Sequence, residues 1–255
     1  MKVFLLPGEA ARSRRVEITG KDFHYLVRVL RLKEGDCFRG TDGCAKQWVC
    51  RIARLGSGSM EALLEEPRPA VEGIEVGLTK ISLLQVLPKG RKMDAIVRQA
   101  TEAGVSRIVP LLGRNSLYRF GGEEDVQHKL RRWRKIAREA LQQSGAPELP
   151  VIESPRALQE AVDEAENGEV RLVFHQERCG SRSLHECLTG EVHSVCLVIG
   201  PEGGLADEEL DFLVSRGFAP VTVGTTVLRT ETAAVFAVAA VQTILQERQA
   251  WRPSP

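Results

Sequence analysis

The sequence predicts an α/β fold, a domain built on a largely parallel, helix-covered sheet, preceded by a small β-rich barrel. Two patterns and a boundary between them predict it. Gly20, Gly35, Gly40, Gly43, Gly56 and Gly58 cut the first 70 residues into strand-length pieces. From residue 74 onward, short apolar runs alternate with amphipathic stretches, as in a parallel sheet covered on its faces. Glu65-Glu66-Pro67-Arg68-Pro69 separates the two regimes, so the expected domains are 1–70 and 71–255.

One helix interrupts the N-terminal strands. Phe23, Leu26, Val27 and Leu30 repeat at i, i+3, i+4, i+7, and Asp22 is the expected cap. In the second domain Ile74 to Leu87 reads as a buried strand and Arg91 to Ala103 as a helix closed by Gly104. Val105 to Leu112 is the next strand, and Lys129 to Ser144 is a helix ending at Gly145. A helix is expected over Pro155 to Ala165, with Ser154 as cap and Pro155 in its first turn. Val170–His175, Val195–Ile199 and Pro220–Val223 follow as strands. The helix Asp207–Arg216, stopped by Gly217, separates the last two, and an Ala- and Val-rich helix, Glu231–Gln246, closes the pattern.

Composition narrows the function classes. With 43% apolar and 27% charged residues among 255, the chain is ordinary globular material. A formal net charge of only +1 means that any nucleic-acid contact must come from local basic clusters. The six cysteines form no C-x-x-C pair, so no metal site is expected and reduced, mostly buried thiols are. No signal peptide and no apolar run of about 20 residues is found, so a soluble, cytoplasmic protein is expected.

Ligands of parallel α/β sheets bind outside the carboxyl ends of the strands. Two strand ends carry unusual loops, Gly200-Pro201-Glu202-Gly203-Gly204 and Gly224-Thr225-Thr226-Val227-Leu228-Arg229-Thr230-Glu231-Thr232. Glycine there permits close backbone approach to a ligand or a tight turn, and the loops alone leave both open. Neither is a G-x-G-x-x-G or Walker loop, which counts against a phosphate cradle. With Pro, Leu and Thr and few cations, they suit an uncharged adenine ring better.

Ile199-Gly200-Pro201-Glu202-Gly203-Gly204-Leu205 followed by Gly224 to Ala233 resembles the RsmE family of SPOUT methyltransferases. His24 to Arg31 resembles the opening of that family's N-terminal PUA-like domain. Pro88-Lys89-Gly90-Arg91-Lys92-Met93-Asp94 and Gln99 to Val105 resemble the start of its catalytic domain. The resemblance implies a SPOUT-type domain with a C-terminal trefoil knot, an exception to the rule against threaded chains. It also implies a homodimer, S-adenosylmethionine as cofactor, and methylation at N3 of a uridine in the decoding region of 16S rRNA. By that resemblance the cofactor site comprises Phe174, His175, Ile199, Gly200, Pro201, Glu202, Gly203, Gly204, Val223, Gly224, Val227, Leu228 and Thr230.

The chemistry asks for more. Uridine N3 carries a proton with an acidity like that of a phenol, pKa about 10, so the proton must be removed or the anion stabilised. Arg229 is the candidate for stabilising the uracil oxygens, and Glu231 or Glu202 for taking the proton. As a first-turn residue, Glu231 is accounted for slightly better by the helix dipole. Candidate RNA contacts are His24, Arg28 and Arg31, then Lys89, Arg91 and Lys92, and Arg114, with Arg12, Arg14 and Arg15 beside the first group. Arg131, Arg134, Lys135 and Arg138 form a basic stripe opposite Leu130, Trp133, Ala137 and Leu141, a pattern usual for a solvated face.

Three family arginines are missing. Arg114-Asn115 stands where the family has Glu-Arg, Ala146 replaces an arginine after Gln143-Ser144, and Thr226 replaces a third. Arginine's planar fork reads phosphates and bases in ways Asn, Ala and Thr do not. The cofactor loops are intact while the RNA target is left open. A SPOUT enzyme with another RNA site and a non-catalytic RNA-binding or ribosome-assembly protein are the alternatives. A Rossmann-type methyltransferase fits less well, because its glycine-rich loop follows the first strand.

Overall fold

The computed structural model describes residues 3–43, 46–65, 79–116, 120–146, 148–163, 168–176, 182–222 and 224–250. The chain divides into two compact units, Met1–Ile74 with Arg138–Leu149, and Glu75–Ala137 with Pro150–Pro255. The boundary expected at residues 70 and 71 lies outside the described residues.

The first unit holds β1 (Phe4–Leu5), α1 (Ala10–Ser13), β2 (Arg15–Thr19), α2 (Gly20–His24), β3 (Cys37–Thr41), β4 (Gln47–Leu55) and β5 (Ser59–Glu65). Among the described residues its strands run in the order β1-β3-β4-β5-β2, with β1 parallel to β3 and the other pairs antiparallel. Alternation places Val16 and Ile18 of β2 and Met60, Ala62 and Leu64 of β5 inward, the period-2 signature of a sheet with one buried face. Phe4 meets Phe38 edge-on at 5.4 Å between ring centroids, in a core shared with Leu26, Ile52 and Met60.

The expected helix here is corrected at its start. It begins at Gly20 with Thr19 before it, so Asp22 lies in the first turn and is not the cap. After His24 it loosens into one π-helical turn, Tyr25–Val29, and ends before Arg31, whose φ of 56° is left-handed. Leu26 is fully buried, which keeps the turn seated on the sheet.

The second unit contains β6 (Lys80–Val86), α3 (Lys92–Glu102), β7 (Arg107–Leu112), α4 (Glu123–Ser144) as far as Ala137, β8 (Val151–Ile152), β9 (Arg156–Ala157), α5 (Leu158–Asp163) and β10 (Val170–Phe174). It continues with α6 (Leu184–Cys187), β11 (Ser194–Ile199), α7 (Asp207–Ser215), β12 (Ala219–Val221) and α8 (Thr230–Ala250). Among the described residues the strand order is β12-β10-β11-β6-β7-β8, with β9 also on β7, and every pairing is parallel. From β6 the sheet grows one way through β7 to β8, whereas β10 and β12 lie on the other side of β11. The order therefore reverses between β6 and β11, where α/β sheets open a crevice at their strand ends.

The near-continuous burial of β6, Ile81 to Val86, reflects a strand covered on both faces. The run before Lys80, residues 74–78, lies outside the described residues. α4 starts six residues before the expected Lys129, on the acidic first turn Glu123-Glu124-Asp125. Its Leu130, Trp133, Ala137 and Leu141 are buried, as the apolar stripe required, and Arg131, Arg134, Lys135 and Arg138 are exposed.

The helix expected over Pro155–Ala165 is the largest departure. Arg156 and Ala157 instead pair in parallel with Leu111 and Leu112, and α5 spans only Leu158–Asp163, with residues 164–167 outside the described residues. Proline favours extended backbone in the residue before it, and the Glu153 carboxylate fastens both Arg107 and Arg156, so Ser154-Pro155 leads into a strand edge and caps no helix. The helix α6 was not expected, although Ser183 and Glu186 form a reciprocal capping box. Of the described cysteines, Cys50 and Cys196 are buried while Cys37 and Cys187 are partly exposed, and all four are free thiols.

Candidate active site

An open cleft of about 380 Å³ lies at the carboxyl ends of β10, β11 and β12, within the size range of small-molecule sites. Its walls come from three places in the sequence. Phe174, His175 and Gln176 end β10, the Ile199–Leu205 segment follows β11, and residues 224–230 lead into α8, whose Ala233 and Phe236 complete the wall. The first residue of α3, Lys92, completes the lining.

Local chemistry shapes each wall. Gly204 takes φ 71° and returns its N–H to the Pro201 carbonyl at 3.0 Å, closing a turn over the strand end. A Cβ on Gly200 would lie 3.2 Å from the Leu205 nitrogen and 3.3 Å from the Gly204 carbonyl carbon, so glycine lets the loop fold back on itself. At the end of β10, His175 N–H donates to the Val221 carbonyl and Thr222 Oγ1 to the His175 carbonyl, which ties β10 to β12 beneath the cleft.

Gln85, wholly buried at the end of β6, joins these walls from below. Its Nε2 reaches Thr230 Oγ1 at 3.1 Å and the carbonyls of Ile199 and Gly200 at 3.4 Å, and Thr230 Oγ1 donates to the Gly200 carbonyl at 2.7 Å. A long amide inside the apolar run of β6 is the one signal for it in the sequence. Phe236, 46% exposed on the wall, was missed, because an Ala- and Val-rich helix carries no mark of which face stays open.

The charged groups converge beside the same loops. Lys92 Nζ lies 2.7 Å from Glu202 Oε1 and 3.7 Å from Glu231 Oε2, and Lys89 N–H donates to the Glu202 carboxylate at 3.2 Å. Glu231 Oε2 is buried and accepts no hydrogen bond from the described residues. Burial pulls the Glu202 carboxyl upward, but the hydrogen bond from Lys92 and those from backbone N–H groups outweigh it and hold it below the usual range. The Lys92 ammonium is raised, chiefly by its hydrogen bond to Glu202.

Of the expected cofactor residues, Phe174, His175, Ile199, Gly200, Pro201, Glu202, Gly204, Gly224, Val227, Leu228 and Thr230 line the cleft. Gly203 is turned to its neighbour instead, its carbonyl accepting from Asn115 Nδ2 at 3.3 Å, as the Gly204 carbonyl does. Val223 lies outside the described residues. Arg229 lines the cleft, exposed, while Glu231 stands one residue into α8 behind it. Lys89 and Arg91 are exposed beside Lys92. Arg114 pairs with Glu208 at 2.7 Å, and its N–H is held by the buried Glu209, which also accepts from Ala206 N–H. His24, Arg28 and Arg31 are exposed on the first unit. Of the positions lacking arginine, Asn115 braces the loop, Thr226 is exposed in the cleft wall and Ala146 is buried.

Comparison with known proteins gives these features a setting. A model of the RNA methyltransferase domain matches residues 76–242, and one of the RNA methyltransferase PUA domain matches residues 18–65. Ribosomal RNA small subunit methyltransferase E of a Synechocystis strain is 32% identical over 233 residues, 91% of this chain and 74% of that protein. Its namesake from Aquifex aeolicus is 34% identical over 219 residues, 85% of this chain and 88% of that protein. The crystal structure of the Neisseria gonorrhoeae protein of that name, bound to S-adenosyl methionine, superposes with a TM-score of 0.81 at 26% identity, covering 96% of this chain and 98% of the other. Among the described residues no helix is long and apolar enough to cross a membrane.

Proposed function

The chain belongs to the ribosomal RNA small subunit methyltransferase E family, and from that premise we propose which atom it modifies and which residues do the work. It is an S-adenosylmethionine-dependent methyltransferase of 16S rRNA, with a PUA-like domain before the catalytic one. The proposed target is N3 of a uridine in the decoding region, met in the cytoplasm. The observation that carries the assignment of the site is the cleft itself. Both glycine-bearing loops wall it, at the carboxyl ends of β10, β11 and β12.

Its residues suit this cofactor. Ile199, Pro201, Leu205, Val227 and Leu228 offer apolar walls for an adenine ring, and loop backbone groups supply neutral donors and acceptors. Phe174, His175, Gly200, Glu202, Gly203, Gly204, Gly224 and Thr230 complete the proposed set, with Val223 among them. Bound there, the cofactor supplies an electrophilic methyl group on a sulfonium. The chain must hold the uracil in line with it, since orientation of this kind is worth about 7–11 kcal/mol. Arg229, exposed in the cleft wall, is placed to stabilise negative charge on the uracil oxygens. Glu231 is the proposed acceptor of the N3 proton; its Oε2 accepts no hydrogen bond among the described residues and has the Lys92 ammonium 3.7 Å away.

His24, Arg28 and Arg31 of the PUA-like domain and Lys89, Arg91 and Arg114 of the catalytic domain are the proposed RNA contacts, all exposed. Val227, 77% exposed, and Phe236 give the cleft an apolar rim, which supports a homodimer closing over it. A trefoil knot at the C-terminal end of the domain is part of the same reading.

A second reading keeps the chemistry and moves the nucleotide. Ala146 is buried and Asn115 is occupied by loop carbonyls, so neither reaches RNA as an arginine would. Mass-spectrometric mapping of 16S rRNA from cells lacking the protein separates the readings. Loss of N3-methyluridine from the decoding region is the expected result, and loss of a methyl group elsewhere selects the second reading. An unchanged rRNA overturns both.

A further inference from the structure

We infer that Lys92 is a positioning residue of the methyl-transfer site, clamping the loop after β11 to the start of α8 through Glu202 and Glu231, and does not contact RNA phosphate. The inference rests on the methyl-transfer reading of the cleft and assigns within it a side chain that sequence pattern alone groups with the RNA-facing lysines and arginines.

Geometry carries it. Lys92 is the first residue of α3, and a cation at a helix N-terminus is opposed by the helix dipole. A locally unfavourable residue of this kind calls for compensation, and two carboxylates supply it from segments more than a hundred positions away in the sequence. Glu202 Oε1 takes the ammonium at 2.7 Å while the same carboxylate accepts Lys89 N–H, so the loop after β6 and the first residue of α3 together grip the loop after β11. Glu231 Oε2, 3.7 Å from the ammonium, brings in α8.

The charges facing one another here are Lys92 and Arg229 against Glu202 and Glu231, two of each sign. Such a cluster leaves no surplus positive charge for a phosphate at Lys92, whereas Lys89 and Arg91 beside it stay exposed. Its product is order. The Gly200–Gly204 wall is held in place before a ligand arrives, which lowers the entropy cost of binding. The raised Lys92 and lowered Glu202 keep both groups charged across the physiological range.

The test uses the full-length protein and four variants, Lys92→Gln, Lys92→Arg, Glu202→Gln and the double Lys92→Gln/Glu202→Gln. Calorimetric titration with S-adenosylmethionine in the absence of RNA should show about a tenfold loss of affinity in Lys92→Gln, the scale of a lost charge-assisted hydrogen bond. Lys92→Arg should recover most of it, and the double variant should bind no worse than either single one. Hydrogen exchange on the ligand-free protein should quicken at residues 200–205 in Lys92→Gln, while thermal melting confirms that each variant folds. If Lys92→Gln keeps wild-type cofactor affinity and loop protection but lowers the slope of log K for RNA against log salt by about one, Lys92 is a phosphate contact and the clamp is overturned. A wild-type chain that binds no cofactor defeats the methyltransferase reading separately, and the exchange measurement still decides the clamp.

Discussion

Thr230 Oγ1 donates to the Gly200 carbonyl at 2.7 Å and, through its lone pair, receives the Gln85 amide at 3.1 Å. One hydroxyl thus joins the floor of the cleft, the loop after β11 and the first residue of the last helix. Both Gln85 and Thr230 are buried, so neither bond has water to replace it.

Thr230→Val keeps the shape of the side chain and removes the hydroxyl. It should cost about 0.5–1.5 kcal/mol, the net worth of the lost hydrogen bonds, because the Gln85 amide keeps the Val86 carbonyl at 2.8 Å and still reaches the Gly200 carbonyl, read from denaturant unfolding. Cofactor affinity measured by titration should fall with it, and an unchanged midpoint would show the node to be dispensable.

Thr226 is exposed in the cleft wall, at a position where the resemblance leads to the expectation of arginine. Thr226→Arg should tighten binding to a decoding-region RNA fragment and steepen its dependence on log salt by about one. Cofactor affinity should not move. A variant that binds RNA no better places Thr226 away from the RNA path.

Phe236 is 46% exposed beside Val227 at 77%. Phe236→Arg puts a charge in this apolar rim and should convert the proposed dimer to a monomer by light scattering, with methyl transfer lost alongside. Phe236→Leu should preserve both. A wild-type protein that is monomeric at micromolar concentration removes the dimer from the proposal.

Cys50 is fully buried, and burial first, with the nearby Cys37 second, pushes its thiol up to about 12 from an ordinary value near 9.0. Burial raises Cys196 in the same direction. The folded thiols hold their protons more tightly than the unfolded ones. Their contribution is therefore whole below pH 9 and is lost as pH rises toward the folded value. Melting temperature should fall progressively above pH 9, and replacing Cys50 with Ala should flatten part of that decline. At pH 8 neither thiol should react with iodoacetamide until the chain is unfolded.

Most of the second domain was legible because its strands are apolar on both faces and its helices end at glycine, as at Gly104, Gly145 and Gly217, all with positive φ. The misreading at Ser154-Pro155 came from competition. The dipeptide is a fair helix start, but pairing with Leu111 and the grip of Glu153 on two arginines draw the segment onto the sheet. At the site, the walls were named because two loops resemble a family pattern. Gln85 and the bracing by Asn115 were not, since each depends on partners 88 to 145 residues distant. Charge at Lys92 was plain in the sequence, and its direction was not.

The hydrogen bond from Gln85 to Thr230 spans 145 residues, and β6 at the middle of the sheet finds its neighbour β11 only after about 110 intervening positions. Pairings this remote are slow to form, because the entropy of closing such loops is lost before any contact repays it. On the ribosome, β6 is made early and pairs with β7, and then waits with its other edge unpaired until β11 emerges. During its own synthesis the chain thus carries an unpaired strand edge at the middle of its sheet. Its cleft is the last part of the molecule to come into being.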